Sequence, residues 1–210
     1  MVPTTLHPLL DERSSPRSFD TSHSLSDDDL AALLEAARWA PSSMNNQPWR
    51  FAVARRGTSL HQQVLDTLMP GNASWAHTAS ALVVAIAERA RDGRPIRTAD
   101  YDLGLSVMQM TVQAHALGLH VHQMGGFDRD RAARTLHHED ELAPVVVVAV
   151  GRRDVAERLP QQLRAREAAP RTRRELHETL LAVDDASGAA WLRSRGSDEA
   201  DTSDKQATAA

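Results

Sequence analysis

Arginines, hydroxyls and side-chain amides gather in three short stretches of this chain: Arg13-Ser14-Ser15-Pro16-Arg17, Pro41-Ser42-Ser43-Met44-Asn45-Asn46-Gln47-Pro48, and Arg171-Thr172-Arg173-Arg174. If the first and last converge, their guanidiniums suffice to neutralise a phosphate dianion through charge-assisted forks. The middle stretch sets two serines, two asparagines and a glutamine between stiff prolines, a hydrogen-bonding loop suited to the edge of a planar ligand. Gly125-Gly126 adds backbone N–H groups without side-chain obstruction, against which a flat ring can lie. Phosphate clamp, amide-rich loop and bare backbone together describe a site for flavin mononucleotide. The plain alternative is scattered surface arginines and an ordinary helix-to-strand connection.

Other chemistries find little support. The 210 residues carry no cysteine, which removes disulfides, thiolate metal sites and cysteine nucleophiles, so redox work would need a cofactor. The sequence has no phosphate-binding P-loop, no G-x-G-x-x-G after a strand, no G-x-S-x-G and no H-E-x-x-H. His120 and His122, and the adjacent His137-His138, lack a carboxylate at ligand spacing, so no metal is expected. A net charge of −4 with both signs mixed gives no basic face for nucleic acid or an anionic membrane. No run approaches the ~20 apolar residues of a membrane span, and Met1 to Leu10 is too interrupted for a signal peptide. A cytoplasmic protein is the expectation.

The elements that must position these clusters follow from spacing. Leu6 to Glu12 suits a short helix, and Ser26 to Trp39 a capped amphipathic one. Trp49 to Arg55 alternates as a strand; Ser59 to Leu68 reads as a helix closed by Pro70-Gly71-Asn72. Ala81 to Ile86 is a continuously apolar strand of the kind buried on both faces. After a charged excursion, Glu88 to Arg97, comes the longest helical pattern, Tyr101 to Leu117, apolar nearly all round and therefore central to the domain or to a dimer interface. Leu119 to Met124 reads as a strand, Asp128 as a helix cap, and Val145 to Val150 as a second buried strand. Arg153 to Ala169 is loosely helical and Arg171 to Leu181 helical. Residues 187–210 have few apolar anchors and read as a disordered tail. Helices carry most residues, which argues an α+β or α/β sandwich.

The residues themselves resemble those of the FMN-dependent nitroreductases. Glu12-Arg13-Ser14-Ser15-Pro16-Arg17-Ser18-Phe19 is similar to that family's opening segment, and Ala40-Pro41-Ser42-Ser43-Met44-Asn45-Asn46-Gln47-Pro48-Trp49-Arg50-Phe51 to its Ala-Pro-Ser-Ser-x-Asn-x-Gln-Pro-Trp-x-Phe signature. Ala114-His115-Ala116-Leu117-Gly118-Leu119, Gly125-Gly126-Phe127-Asp128 and Pro170-Arg171-Thr172-Arg173 follow in the family's order, so the likeness covers about residues 8 to 182. Two departures stand out: Ser14 replaces an Arg or His, and the excursion between Glu88 and Thr98 is short where larger members insert helices.

The resemblance implies an α+β fold, a three-layer α/β/α sandwich with a central, mostly antiparallel sheet flanked by helices, in an intertwined homodimer. It implies one domain over residues 1–186. Arg13, Ser14, Ser15 and Arg17 would meet the flavin phosphate and pyrimidine side, Asn72 the pyrimidine edge, Gly125 and Gly126 the N5 and O4 atoms, and Arg171 and Arg173 the phosphate. Pro41, Ser42, Ser43, Asn45 and Gln47 belong to the flavin-facing loop, which reaches the flavin held mainly by the other subunit, while Met44 lines the substrate space. The activity implied is NADH- or NADPH-dependent, ping-pong reduction of nitroaromatics, quinones or similar small molecules. The alternatives are a flavin-dependent dehydrogenase or cyclic-dipeptide oxidase on the same scaffold, and a flavin-binding protein without turnover. Arg89, Arg91, Arg94 and Arg97 suit either a solvated charged loop or a landing place for a nicotinamide phosphate.

Overall fold

The computed structural model describes residues 6–136 and 140–181. The chain divides into two compact units, Met1–Ala168 and Ala169–Ala210. The first is built on a four-stranded antiparallel sheet of β1 (Trp49–Arg55), β2 (Ala81–Glu88), β6 (Leu142–Gly151) and β5 (His120–Met124), in that order across the sheet. A two-stranded hairpin, β3 (Ala90–Arg91) with β4 (Arg94–Pro95), stands apart from it.

Every residue of β2 is buried, and the side-chain period of two sorts them into two cores. Ala81, Val83, Ala85 and Ala87 face a cluster with Leu33 and Ala37 of α2 (Asp27–Arg38) and Leu103, Val107 and Met110 of α5 (Ala99–Ala116). Leu82, Val84 and Ile86 face the opposite cluster, with Val64 of α3 (Ser59–Leu65), Trp75 of α4 (Pro70–Ala76) and Ala132 of α6 (Arg129–Leu136). The result is the expected three-layer sandwich. Each fully buried Val or Leu contributes about 1.5–3 kcal/mol, which makes the β2–β6 pair its rigid centre.

Local chemistry sets the element ends. Ser26 and Asp29 form a reciprocal capping box that starts α2: Asp29 N donates to Ser26 Oγ (3.0 Å) and Ser26 N to Asp29 Oδ2 (3.2 Å). Ser106 of α5 donates to the Ala37 carbonyl at 2.8 Å and locks α5 to α2. Strand β6 starts at Leu142, earlier than Val145. A register shift between Ala85 and Ile86 leaves Val145 without a partner beside Pro144, which has no N–H for the ladder.

Three expectations are corrected. The α3 helix ends at Leu65, and Pro70 opens α4 rather than closing α3, because a missing N–H costs nothing at the first helical position. The first helix, α1, is only Pro8–Asp11. In the second unit, Arg171 to Leu181 is not a continuous helix: its described residues form one 3-10 turn, Leu176–Thr179. Leu176, Leu180 and Leu181 are exposed there, and a short helix without a packed face does not persist. The reading of residues 187–210 as a tail, and the boundary at 186, fall outside the described residues. Among the described residues no helix is long and apolar enough to cross a membrane.

Candidate active site

The basic segment Arg13–Phe19 is pinned along the end of β6. Asp20 N donates to the Arg152 carbonyl (2.9 Å), Asp154 N to the Ser18 carbonyl (3.0 Å) and Ser18 Oγ to the Val155 carbonyl (2.8 Å). Phe19 buries its ring on that side of the sheet, stacked near Trp75 with centroids 6.2 Å apart. Upstream of this anchor, His122 of β5 donates from Nδ1 to the Pro16 carbonyl at 3.0 Å; a carbonyl only accepts, so that nitrogen carries the proton. The same imidazole lies 4.5 Å from Trp75, centroid to centroid. Burial pushes the His122 pKa below its ordinary value, so the ring is neutral at pH ~7.

That wedge brings three predicted parts together. Trp75 stands one helical turn after Asn72 on α4, and His122 stands three residues before Gly125 at the exit of β5. Asn72 Nδ2 donates to the Gly126 carbonyl at 3.0 Å, and Met69 N donates to the same oxygen at 3.1 Å. Open space surrounds the point where a Gly125 side chain would stand, whereas a Cβ on Gly126 would come within 3.0 Å of Asn72 Nδ2. The basic segment, Asn72 and the diglycine turn therefore share one neighbourhood. Within it, the buried Ser14 hydroxyl oxygen has no hydrogen-bond partner among the described residues, and Arg13 Nη1 donates to Ser15 Oγ at 3.3 Å. An orphaned buried hydroxyl within the basic Arg13–Arg17 segment fits the phosphate of a flavin mononucleotide.

Two neighbours were not foreseen. Glu167 of α7 (Gln161–Ala168), with a side chain only 6% exposed, accepts from Arg17 N at 3.2 Å and lies 3.7 Å from the Arg17 guanidinium. His115 approaches Glu12 at 3.9 Å and meets His120 edge-on at 5.6 Å. Burial, then the nearby His115, lowers the His120 pKa. Neither pairing has a sequence signal, since the partners lie on separate elements.

The amide-rich loop is held elsewhere. Ser42 Oγ accepts from Gln47 N (3.0 Å), and Gln47 Nε2 donates to Asn45 Oδ1 (3.1 Å). Met44, Asn45 and Gln47 adopt left-handed φ values of 53°, 55° and 49°. Asn tolerates that region, but Met and Gln pay about 1–2 kcal/mol each. Offsetting this, the buried Asp102 of α5 accepts from Ser43 N at 3.2 Å and from Thr98 Oγ1 at 2.8 Å. Asp102 is a functional candidate the sequence reading missed; an acid inside an apolar helix face was its signal. Met44 is 90% exposed, and Pro41, Ser43 and Asn45 are exposed too. Among the described residues the loop's hydrogen bonds run within itself, to Asp102, to Arg91 and, through the Pro48 carbonyl, to Glu88 N. Arg171 and Arg173 lie in the second unit, where Arg173 Nη1 donates to the Thr172 carbonyl at 2.7 Å.

Known proteins resemble this chain in sequence and in fold. The chain is 34% identical over 140 residues to an uncharacterized 15.4 kDa protein from Mycolicibacterium smegmatis, covering 63% of this chain and 94% of that one. It is 24% identical to the putative NAD(P)H nitroreductase YdgI of Bacillus subtilis, over 69% and 86% of the two chains. A solved structure described as an oxidoreductase containing FMN superposes with a TM-score of 0.80 at 33% identity, covering 88% of this chain and 93% of that chain. The family model for nitroreductases matches residues 10–69 and 58–152, so the chain belongs to the nitroreductase family.

Proposed function

We propose that this protein is an NAD(P)H-dependent oxidoreductase that binds FMN in a homodimer and reduces nitroaromatics, quinones or similar electron-poor small molecules. One observation carries the reading: the His122–Trp75 wedge that gathers Arg13–Arg17, Asn72 and Gly125-Gly126 into a single neighbourhood. The FMN-containing relative with the same fold supports it.

The bound flavin supplies hydride transfer between donor and acceptor, with both using the same face in turn. The protein's part is binding and orientation. Arg13 with the Ser14 and Ser15 hydroxyls would hold the phosphate. Glu167 fixes the Arg17 guanidinium, whose cation favours negative charge at the pyrimidine edge. Asn72 braces the Gly126 carbonyl and leaves the Gly125 and Gly126 N–H groups to meet the ring.

The exposed loop Pro41–Gln47 would serve the flavin of a second copy. An uncovered apolar stripe on α5, with Tyr101 69% and Met108 37% exposed, Leu105 partly buried between them and Val112 partly buried one turn beyond, supports that partner. The test is anaerobic mixing of the yellow protein with NADH or NADPH. The flavin should bleach and then recover its colour on addition of menadione or nitrofurazone. Flavin that stays oxidised with both donors, but is reduced by a saturated substrate, would overturn the reading in favour of a dehydrogenase.

A further inference from the structure

The short hairpin β3–β4 and the strained loop form the walls of an open cleft of about 370 Å³, lined among others by Ser43, Asn46, Arg91, Arg94, Arg97 and Thr98. The hairpin is small but firmly placed. Asp92 and Gly93 take φ values of 53° and 73°, the left-handed pair that a tight two-residue turn requires. Arg89 N donates to the Glu141 carbonyl (2.8 Å), Ile96 N to the Arg89 carbonyl (2.7 Å) and Arg91 Nη2 to the Asn46 carbonyl (3.0 Å).

Its neighbouring carboxylates are mostly engaged: Glu141 Oε1 accepts from Gly93 N at 2.8 Å at the turn. Asp100 occupies Arg89 at 2.9 Å, and Glu88 is shared, with Arg50 at 2.8 Å and Arg91 at 2.6 Å from the same carboxylate oxygen. The side chains of Arg94 and Arg97 make no hydrogen bond or ion pair among the described residues, and Asp92 is the one carboxylate among the lining residues. Moreover, Arg91 and Arg94 stand directly opposite each other across the two-stranded ladder. Glu88 holds Arg91 through both carboxylate oxygens, at 2.7 and 2.6 Å, which leaves Arg94 as the guanidinium of that pair open to an anion.

We propose that this cleft binds the 2′-phosphate of a phosphorylated nicotinamide donor and so makes the enzyme prefer NADPH to NADH. The proposal rests on the oxidoreductase reading above. Guanidinium forks match phosphate oxygens in pairs, and Arg94 and Arg97 are the two forks not already engaged. The Ser43 hydroxyl and Asn46 amide add neutral donors on the facing wall. An anionic acceptor, such as a nitrobenzoate, would present related chemistry; we assign the cleft to the donor because three guanidiniums line it beside only two apolar side chains, Pro95 and Ile96.

The test uses the full-length flavoprotein and the double variant Arg94→Gln/Arg97→Gln. Binding of adenosine 2′,5′-bisphosphate and adenosine 5′-monophosphate, followed by calorimetry, reads the cleft without turnover. The wild type should bind the bisphosphate roughly 10-fold or more tightly than the monophosphate, and the variant should lose that difference. In steady state, kcat/KM for NADPH should fall by a similar factor with NADH unchanged. Equal binding of the two nucleotides by the wild type, or a variant that keeps the discrimination, overturns the proposal. So does a variant whose only defect is with 4-nitrobenzoate and not with the uncharged 4-nitrobenzamide. Failure of both donors to reduce the flavin would count against the oxidoreductase reading instead, since the nucleotide-binding result stands apart from it.

Discussion

Replacing Asp102 by alanine should damage flavin binding far more than it damages the fold. Asp102 is 1% exposed, and its Oδ2 holds both Ser43 N and Thr98 Oγ1. Hydrogen bonds to a charged acceptor are each worth about 1.5–3 kcal/mol, and the exposure of Ser43 places the pair near the lower end, roughly 3 kcal/mol together. The anchor holds Met44 and Gln47 in left-handed conformations that cost about 2–4 kcal/mol in sum. Anchor and strain are therefore comparable. Once the carboxylate is gone, the turn relaxes and recovers most of what was lost. Global stability should fall by only about 1–2 kcal/mol, a drop in Tm of roughly 3–6 °C for a chain of this size. The loop presenting Ser42 to Asn45 would lose its shape, and FMN affinity should fall at least ~10-fold, with Asp102→Asn recovering part of it because one acceptor oxygen remains. Fluorescence titration of the apoprotein with FMN, beside a thermal melt, checks both numbers. Unchanged FMN affinity in Asp102→Ala would refute the claim that this carboxylate shapes the loop.

Other perturbations have equally specific outcomes. At Gly151 an added Cβ would meet Phe19 Cδ1 at 3.0 Å and the Ser80 backbone nitrogen at 3.1 Å, so Gly151→Ala should cost about 1–3 kcal/mol in urea unfolding; a neutral effect would show that the Phe19 anchor is loose. Burial lowers the pKa values of His61, His120 and His122 from the ordinary 6.5, so the unfolded chain takes up protons first on acidification. The stability they provide is present above pH ~6.5 and lost as pH falls through the lower folded values, so Tm should decline as pH drops below ~6.5, less steeply in His122→Gln; a flat profile contradicts this. Met108→Asp, on the uncovered stripe of α5, should yield a monomer that releases FMN, and a yellow monomer would defeat the two-copy site.

The parts of the fold that were legible in the sequence are those set by local periodicity and chemistry. The capping box at Ser26, the alternation over Trp49–Arg55, the unbroken apolar run of β2 and the Asp128 cap all reappear, with Asp128 Oδ1 accepting from Arg131 N at 2.9 Å. Pro70 was ambiguous because proline both ends one helix and begins another. The β3–β4 hairpin escaped notice although Asp92-Gly93 is a recognised tight-turn pair; two-residue strands carry no periodicity. Among candidate site residues, the family resemblance named Arg13, Asn72 and Gly126, but nothing local could show that Glu167 holds Arg17 or that His122 ties Pro16 to Trp75, because those contacts span more than 40 residues. The left-handed Met44 and Gln47 were hidden for a different reason: neither residue type prefers that backbone, and only the anchoring by Asp102 and Ser42 sustains it.

The visible absorption spectrum recorded across a size-exclusion peak of the purified protein tests the central claim most directly. The account predicts an oxidised-flavin spectrum that co-elutes with a dimer at one FMN per chain. A colourless dimer that takes up no added FMN would contradict it.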